Sequence, residues 1–252
     1  MKYTVITGAS SGIGYATALH FASKGKSLIL IARREDKLYS LKSEIMKKYP
    51  NIDVVLQVFD LAQTNKLEDL FATISSQYEL ETWINNAGFG LFSTVKDQDL
   101  SIINQLVDVN VKALMLLSTL FVKKYEMTKG TQLLNVSSGA GYNLYPNCVT
   151  YTASKFFVSS FTENLAHELH NSKAKLVAKL IVPEATETEF INVAAGRQDK
   201  VNYANEFKLY TTSQEMAEYI WQLYESNNVV GQVDDVSYDF YMHEGHFPYK
   251  GK

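Results

Sequence analysis

A chain of 252 residues, 46% of them hydrophobic, can build one substantial core, and single α/β domains reach this length. A formal charge of −3 at pH 7 gives no electrostatic ground for nucleic-acid binding. The single cysteine, Cys148, excludes an intramolecular disulfide and fits a reducing compartment.

The opening "MKYTVITGAS" runs directly into structural sequence, with no basic-then-apolar leader. The longest strongly apolar stretch, "ALMLLSTLFV" (113–122), is too short to span a bilayer. The expectation is a soluble cytoplasmic protein with no membrane partner.

In chain order, strands are predicted at 3–7, 27–32, 54–59, 82–85, 132–136 and 175–182, and helices at 12–24, 35–48, 65–79, 99–125 and 150–170. Most of the strands are near-continuous apolar runs such as "SLILIA" (27–32), the pattern of a parallel sheet covered on both faces. The alternation predicts right-handed crossovers and a Rossmann-type doubly wound parallel sheet with helices on both faces. With four prolines, no repeat and no linker, the chain reads as a single domain over 1–252. Phe157, Phe161, Leu165 and Leu169 form an i+4 stripe, and the helix over 102–121 is apolar on more than one face. Packing on a second subunit or a thick intrachain core would each account for that.

"TGASSGIG" (7–14) follows the first strand and opens the first helix. Glycines at 8, 12 and 14 permit a tight turn and close backbone approach to a diphosphate, which the helix N-terminus would face with free N–H groups. The spacing is Gly-x-x-x-Gly-x-Gly rather than Gly-x-Gly-x-x-Gly. At the end of the second strand stand Arg33 and Arg34, where a carboxylate would suit a ribose 2′-hydroxyl and an arginine suits a 2′-phosphate. Two cations at a helix start are otherwise mildly unfavourable, so the pair favours NADP over NAD.

"YTASK" (151–155) places a phenol and an ammonium four positions apart, neighbours on a helix surface. A fixed cation favours the phenolate. Bringing a tyrosine from about 10 to neutrality takes roughly 4 kcal/mol, so a second positive charge would have to assist one lysine.

Together these stretches resemble the short-chain dehydrogenases/reductases, in their compact single-domain branch. The likeness runs from Tyr3 to about Thr188. It is carried in order by "TGASSGIG" (7–14), "DL" (60–61), "NNAG" (85–88), "VNV" (109–111), "NVSSGAG" (135–141) and "YTASK" (151–155). The resemblance implies an NADP(H)-dependent oxidoreductase that moves a hydride between the nicotinamide and a carbonyl/alcohol carbon. Tyr151 would be its general acid/base. Ser138 would hold the same substrate oxygen, Lys155 would bind the nicotinamide ribose and lower the Tyr151 pKa, and Asn110 would hold a water leading from Lys155 to solvent. Gly8, Ser10, Ser11, Gly12, Ile13 and Gly14 would cradle the cofactor, with Arg33 and Arg34 at its phosphate. Asp60 and Leu61 would meet the adenine end, and Asn86, Ala87 and Gly88 would line the cleft. Residues 1–135 or so would form the cofactor half, and about 136–252 the catalytic and substrate-covering part. Family members commonly pair through the helices at 99–125 and 150–170, which implies a homodimer or homotetramer.

One departure stands out. Where the family has Pro-Gly and then a threonine on the nicotinamide carboxamide, this chain has "VPEATET" (182–188). Pro183 and Thr188 fit, but Glu184 puts a Cβ and a carboxylate where the backbone would approach the ring. That feature alone favours the alternative, a catalytically poor NADP-binding regulatory or sensor protein on the same fold. The complete Ser138–Tyr151–Lys155 set argues against it, since a pure binder has no use for an activated phenol. The segment 186–211, with Phe190, Tyr203, Phe207 and Tyr210, is expected to cover the substrate. His243 and His246 have no acidic partners in sequence and read as surface residues, so no metal site is expected.

Overall fold

The computed structural model describes residues 1–197, Asp199 and 201–250. Gln198 and Lys200, inside the expected covering segment, and Gly251 and Lys252 lie outside the described residues. The chain begins β1 (Lys2–Thr7), α1 (Gly12–Ser23), β2 (Ser27–Ala32), α2 (Glu35–Lys48), β3 (Val54–Val58), α3 (Leu67–Gln77) and β4 (Glu79–Asn85). There follow α4 (Leu100–Val107), α5 (Leu114–Tyr125), β5 (Gln132–Val136), α6 (Val149–Asn171) and β6 (Val177–Val182). The last part holds β7 (Thr186–Glu187), α7 (Phe190–Ala194), α8 (Tyr203–Glu206), β8 (Thr211–Thr212), α9 (Ser213–Glu225), β9 (Val230–Val233) and β10 (Phe240–His243).

The main sheet has 8 strands in the order β10-β9-β6-β5-β4-β1-β2-β3, all parallel except β10, which runs antiparallel to β9. β2 is buried along its whole length because helices cover both faces, which is why it reads as an unbroken apolar run. On one face α1, α2 and α9 supply Phe21, Leu41 and Ile220 to the core. On the other, α3, α5 and α6 supply Phe71, Phe121 and Leu169 around Trp83. β1 lies between β2 and β4, so the strand order reverses there and opens a crevice beyond the strand C-termini.

Several boundaries differ from expectation by a few residues. β4 begins at Glu79, not 82, because a bulge between Tyr3 and Thr4 of the pairing leaves Glu81 without a partner and breaks the apolar alternation. β6 begins at Val177, not 175. The helix expected over 99–125 is one rod whose middle, Asp108–Ala113, widens into a π-helical turn carrying Asn110. That rod, Leu100–Tyr125, is 26 residues long, and by length and composition it could cross a membrane, unlike the 113–122 run taken alone. Here it packs Leu117 and Phe121 into the core beside Trp83. The i+4 stripe of α6 divides: Leu169 is buried, while Phe157 and Phe161 stack on each other with centroids 5.7 Å apart at a half-buried surface. The elements after β6 were not predicted, although Thr212 and Glu215 form a reciprocal capping box at the start of α9, a pattern readable in "TSQE".

Candidate active site

The glycine loop is clamped from the β4 side. Thr7 Oγ1 accepts the backbone N–H groups of Asn86 and Ala87, each at 3.0 Å, and Asn86 Nδ2 donates to the Thr7 carbonyl at 2.9 Å. Gly8 has φ +69°, and a Cβ there would stand 2.8 Å from Ala87 Cα; one on Gly14 would overlap the Asn86 amide. Only glycine lets the loop lie this close to the neighbouring strand, while the Gly8 and Ala9 N–H groups donate to the Ile31 carbonyl at 2.8 and 3.3 Å. Ser11, the N-cap of α1, makes no side-chain capping bond, so the first N–H groups of the helix are available to an anion. This cradle fits a dinucleotide diphosphate.

Arg34 lies over the same loop. Its Nη2 donates to Ser11 Oγ at 2.6 Å, its Nε to Ser10 Oγ at 3.2 Å, and its Nη1 pairs with Glu189 at 2.9 Å. Arg33 lines the same mouth, as do Asp60 and Leu61; Asp60 Oδ1 accepts the Ala62 N–H at 3.1 Å.

At the other end, β5 leads into an extended Ser138 whose Oγ accepts the Ala140 N–H at 3.2 Å. Helix α6 then presents Tyr151 and Lys155, both buried. Lys155 Nζ donates to the Val136 carbonyl at 2.9 Å and stands 5.9 Å from the centre of the Tyr151 ring. Phe190 and Phe92 pack against that ring at 5.4 and 6.2 Å. Burial pushes the Tyr151 phenol well above its usual value; Ser138 opposes the rise, while Cys148, Glu184 and Tyr145 add to it. Burial likewise pulls Lys155 down to about 8. In the protein alone, then, the phenol is raised rather than lowered.

All the predicted site residues except Gly14 and Asn110 line one cleft of ≈ 900 Å³. Gly14 supports the loop from behind. The Asn110 amide bonds within this chain: Nδ2 donates to the Phe89 carbonyl at 2.9 Å and to Ser154 at 3.2 Å, and Oδ1 accepts the Phe89 N–H at 3.1 Å. It therefore fixes the loop after β4 to α6. Pro183 accepts the Gly139 N–H at 2.8 Å. Thr188 packs where a Cβ on Gly12 would point and caps the Phe190 N–H at 3.1 Å. In the covering segment Phe190 and Phe207 line the cleft, whereas Tyr203 is buried behind them, 5.3 Å from Phe207. β7 and β8 pair at the base of this segment.

Sequence reasoning missed two groups. Phe92, Tyr145, Asp235 and Tyr238 line the same cleft from loops that carry no periodic signal. A buried network ties β4, β5 and α6 beneath the site, with Asn85 Nδ2 to Asn135 Oδ1 at 2.9 Å and Asn135 Nδ2 to Thr162 Oγ1 at 2.9 Å. Both asparagines lie inside strands, where a polar residue in an apolar run was the available clue.

The class this fold and site define is an oxidoreductase on a Rossmann-type sheet. Residues 2–198 match the family model for short chain dehydrogenase. Sulfoacetaldehyde reductase 2 of Chromohalobacter salexigens is 34% identical over 199 residues, covering 76% of this chain and 75% of that one. A very-long-chain 3-oxoacyl-CoA reductase of Macaca fascicularis is 29% identical over 208 residues, covering 79% of this chain and 64% of that one. A short-chain dehydrogenase from Sphingobium yanoikuyae in complex with NADPH superposes with a TM-score of 0.83 at 24% identity, covering 92% of this chain and 87% of that one; the likeness is one of fold. The chain belongs to the short-chain dehydrogenase/reductase family.

Proposed function

We propose that the protein is an NADP(H)-dependent reductase of aldehydes or ketones to alcohols, acting in reverse on the alcohol, with Tyr151 as the general acid/base. The observation that carries this reading is the convergence of Ser138, Tyr151 and Lys155 in one cleft whose far end is the glycine cradle with Arg34 across it. Residues up to about 135 hold the cofactor and the remainder carry the reacting end. The bound nicotinamide supplies the hydride to the carbonyl carbon. Ser138 and Tyr151 then act as two hydroxyl donors to the carbonyl oxygen, and the Tyr151 proton passes to it as negative charge develops there. The Lys155 ammonium, held by the Val136 carbonyl, stabilises the phenolate left behind. A phenol raised by burial is protonated at neutral pH, which suits the reductive direction.

A panel of aldehydes and ketones incubated with NADPH, followed by the loss of reduced-cofactor absorbance, tests this. Turnover of at least one carbonyl class is expected. NADPH binding with no turnover of any of them would overturn the reading in favour of a cofactor-binding sensor.

A further inference from the structure

Glu184 is half-buried and pairs with no cation among the described residues. Its carboxyl lies over Gly139, the residue after Ser138, so closely that a Cβ on that glycine would overlap it. Oε2 receives a long hydrogen bond from Tyr145 at 3.4 Å. Oε1 is buried and has no hydrogen-bond partner among the described residues. The side chain shares the cleft wall with Tyr145, Tyr151, Asp235 and Tyr238. Tyr238 is held there at φ +62°, a conformation a bulky residue adopts at a cost.

The cations of the cleft lie away from Glu184, with Glu189 and Asp60 beside the two arginines. Arg33 and Arg34 stand at the glycine-loop end, and Lys155 is turned to Val136. The groups facing Glu184 from the β5–α6 loop and the β9–β10 turn are Tyr145, Asp234, Asp235 and Tyr238, and none is a cation. A carboxylate without a counter-charge in a partly dry site is costly, and an incoming cation would relieve that cost with a charge-assisted hydrogen bond.

We propose that Glu184 is the specificity-determining residue of the cleft, and that its carboxylate receives a protonated amine carried by the carbonyl or alcohol substrate close to the reacting carbon. This rests on the oxidoreductase reading above. Substrates with a sulfonate, carboxylate or phosphate at that position are repelled by Glu184 and Asp235. Burial, with Asp235 adding to it, raises Glu184 to about 7, so the preference for an amine strengthens as pH rises through neutrality and Glu184 loses its proton.

The test compares three short alcohols with NADP: 1-amino-2-propanol, neutral 1,2-propanediol and anionic 3-hydroxybutyrate. Each is assayed for kcat/KM with the wild type and with Glu184→Gln. Binding of the same three alcohols to the NADP-loaded proteins is measured by thermal shift. The wild type is expected to favour the amine over the diol by about tenfold or more, the scale of a hydrogen bond to a charged group. Glu184→Gln should bring that ratio near one, mainly through KM. An equal preference in both proteins, or a wild type that favours the diol or the anion, overturns the proposal. Glu184-dependent binding of the amine with no oxidation of any of the alcohols sustains the recognition role and counts against the oxidoreductase reading instead.

Discussion

Arg34 is bound at once to the glycine loop and to the covering segment: its guanidinium donates to Ser10 and Ser11 and pairs with Glu189 at 2.9 Å. On the NADP(H) reading proposed above, a cofactor 2′-phosphate arriving at this guanidinium would compete with Glu189. The pair is exposed, with 42% and 58% of the two side-chain surfaces accessible, so it contributes at most about 1 kcal/mol and is readily displaced.

Arg34→Ala is therefore expected to weaken NADPH binding about tenfold or more, since a hydrogen bond to a charged group contributes about 1.5–3 kcal/mol, and to leave NADH binding nearly unchanged. Glu189→Gln should tighten NADPH binding by a few-fold at most. Fluorescence titration of both cofactors checks this. Equal weakening of NADPH and NADH in Arg34→Ala would mean that the guanidinium only props the loop.

Tyr151→Phe keeps the ring packed between Phe190 and Phe92 and removes only the hydroxyl. NADPH affinity should change little while kcat falls by two orders of magnitude or more, the range for loss of a positioned acid. Turnover within a few-fold of wild type would assign the proton to another group.

Much of this site could be read in the sequence because its chemistry sits at strand ends and helix starts, where the motifs are contiguous. Gly8, Ser138, Tyr151 and Lys155 each fall within a few residues of a boundary that hydrophobic patterning marks. Asn85 and Asn135 lie within such motifs, yet their bonds to each other and to Thr162 depend on strand register, which a single chain does not print. The substrate end was less legible. Asp235 and Tyr238 meet Glu184 only because β9 pairs with β6 and the β9–β10 turn then closes over the crevice, and Tyr145 reaches it from the β5–α6 loop. The β4 start was hidden by one bulge at Glu81.

Self-association is expected through the rod Leu100–Tyr125 and α6. Leu100 and Leu116 are exposed at 75% and 38%, and Phe157 and Phe161 present a half-buried aromatic pair on α6; such a surface is suited to a second copy. Sedimentation at micromolar concentration should show a dimer or tetramer, and Leu116→Glu should shift it towards monomer. A wild-type monomer at that concentration rejects the expectation.

Lys155 is predicted to cost stability in the cofactor-free protein. Burial lowers its pKa from 10.5 to about 8, so the folded chain disfavours a proton that the unfolded chain keeps up to its ordinary value. Below pH 8 the penalty is present in full, and at about 1.4 kcal/mol per pKa unit it comes to roughly 3.5 kcal/mol. Between 8 and 10.5 the unfolded state binds more protons than the folded one, so stability rises with pH and the penalty fades. Lys155→Met removes the charge but also the hydrogen bond to the Val136 carbonyl, which offsets about 1 kcal/mol of the gain. The variant should therefore be about 2–3 kcal/mol more stable than wild type at pH 7, lose that advantage by pH 10, and show negligible turnover. Urea unfolding of both proteins at the two pH values reads this directly. A stability difference that does not change with pH would mean that the lysine is charged in the folded site without penalty, its carbonyl partner and the open cleft together solvating it.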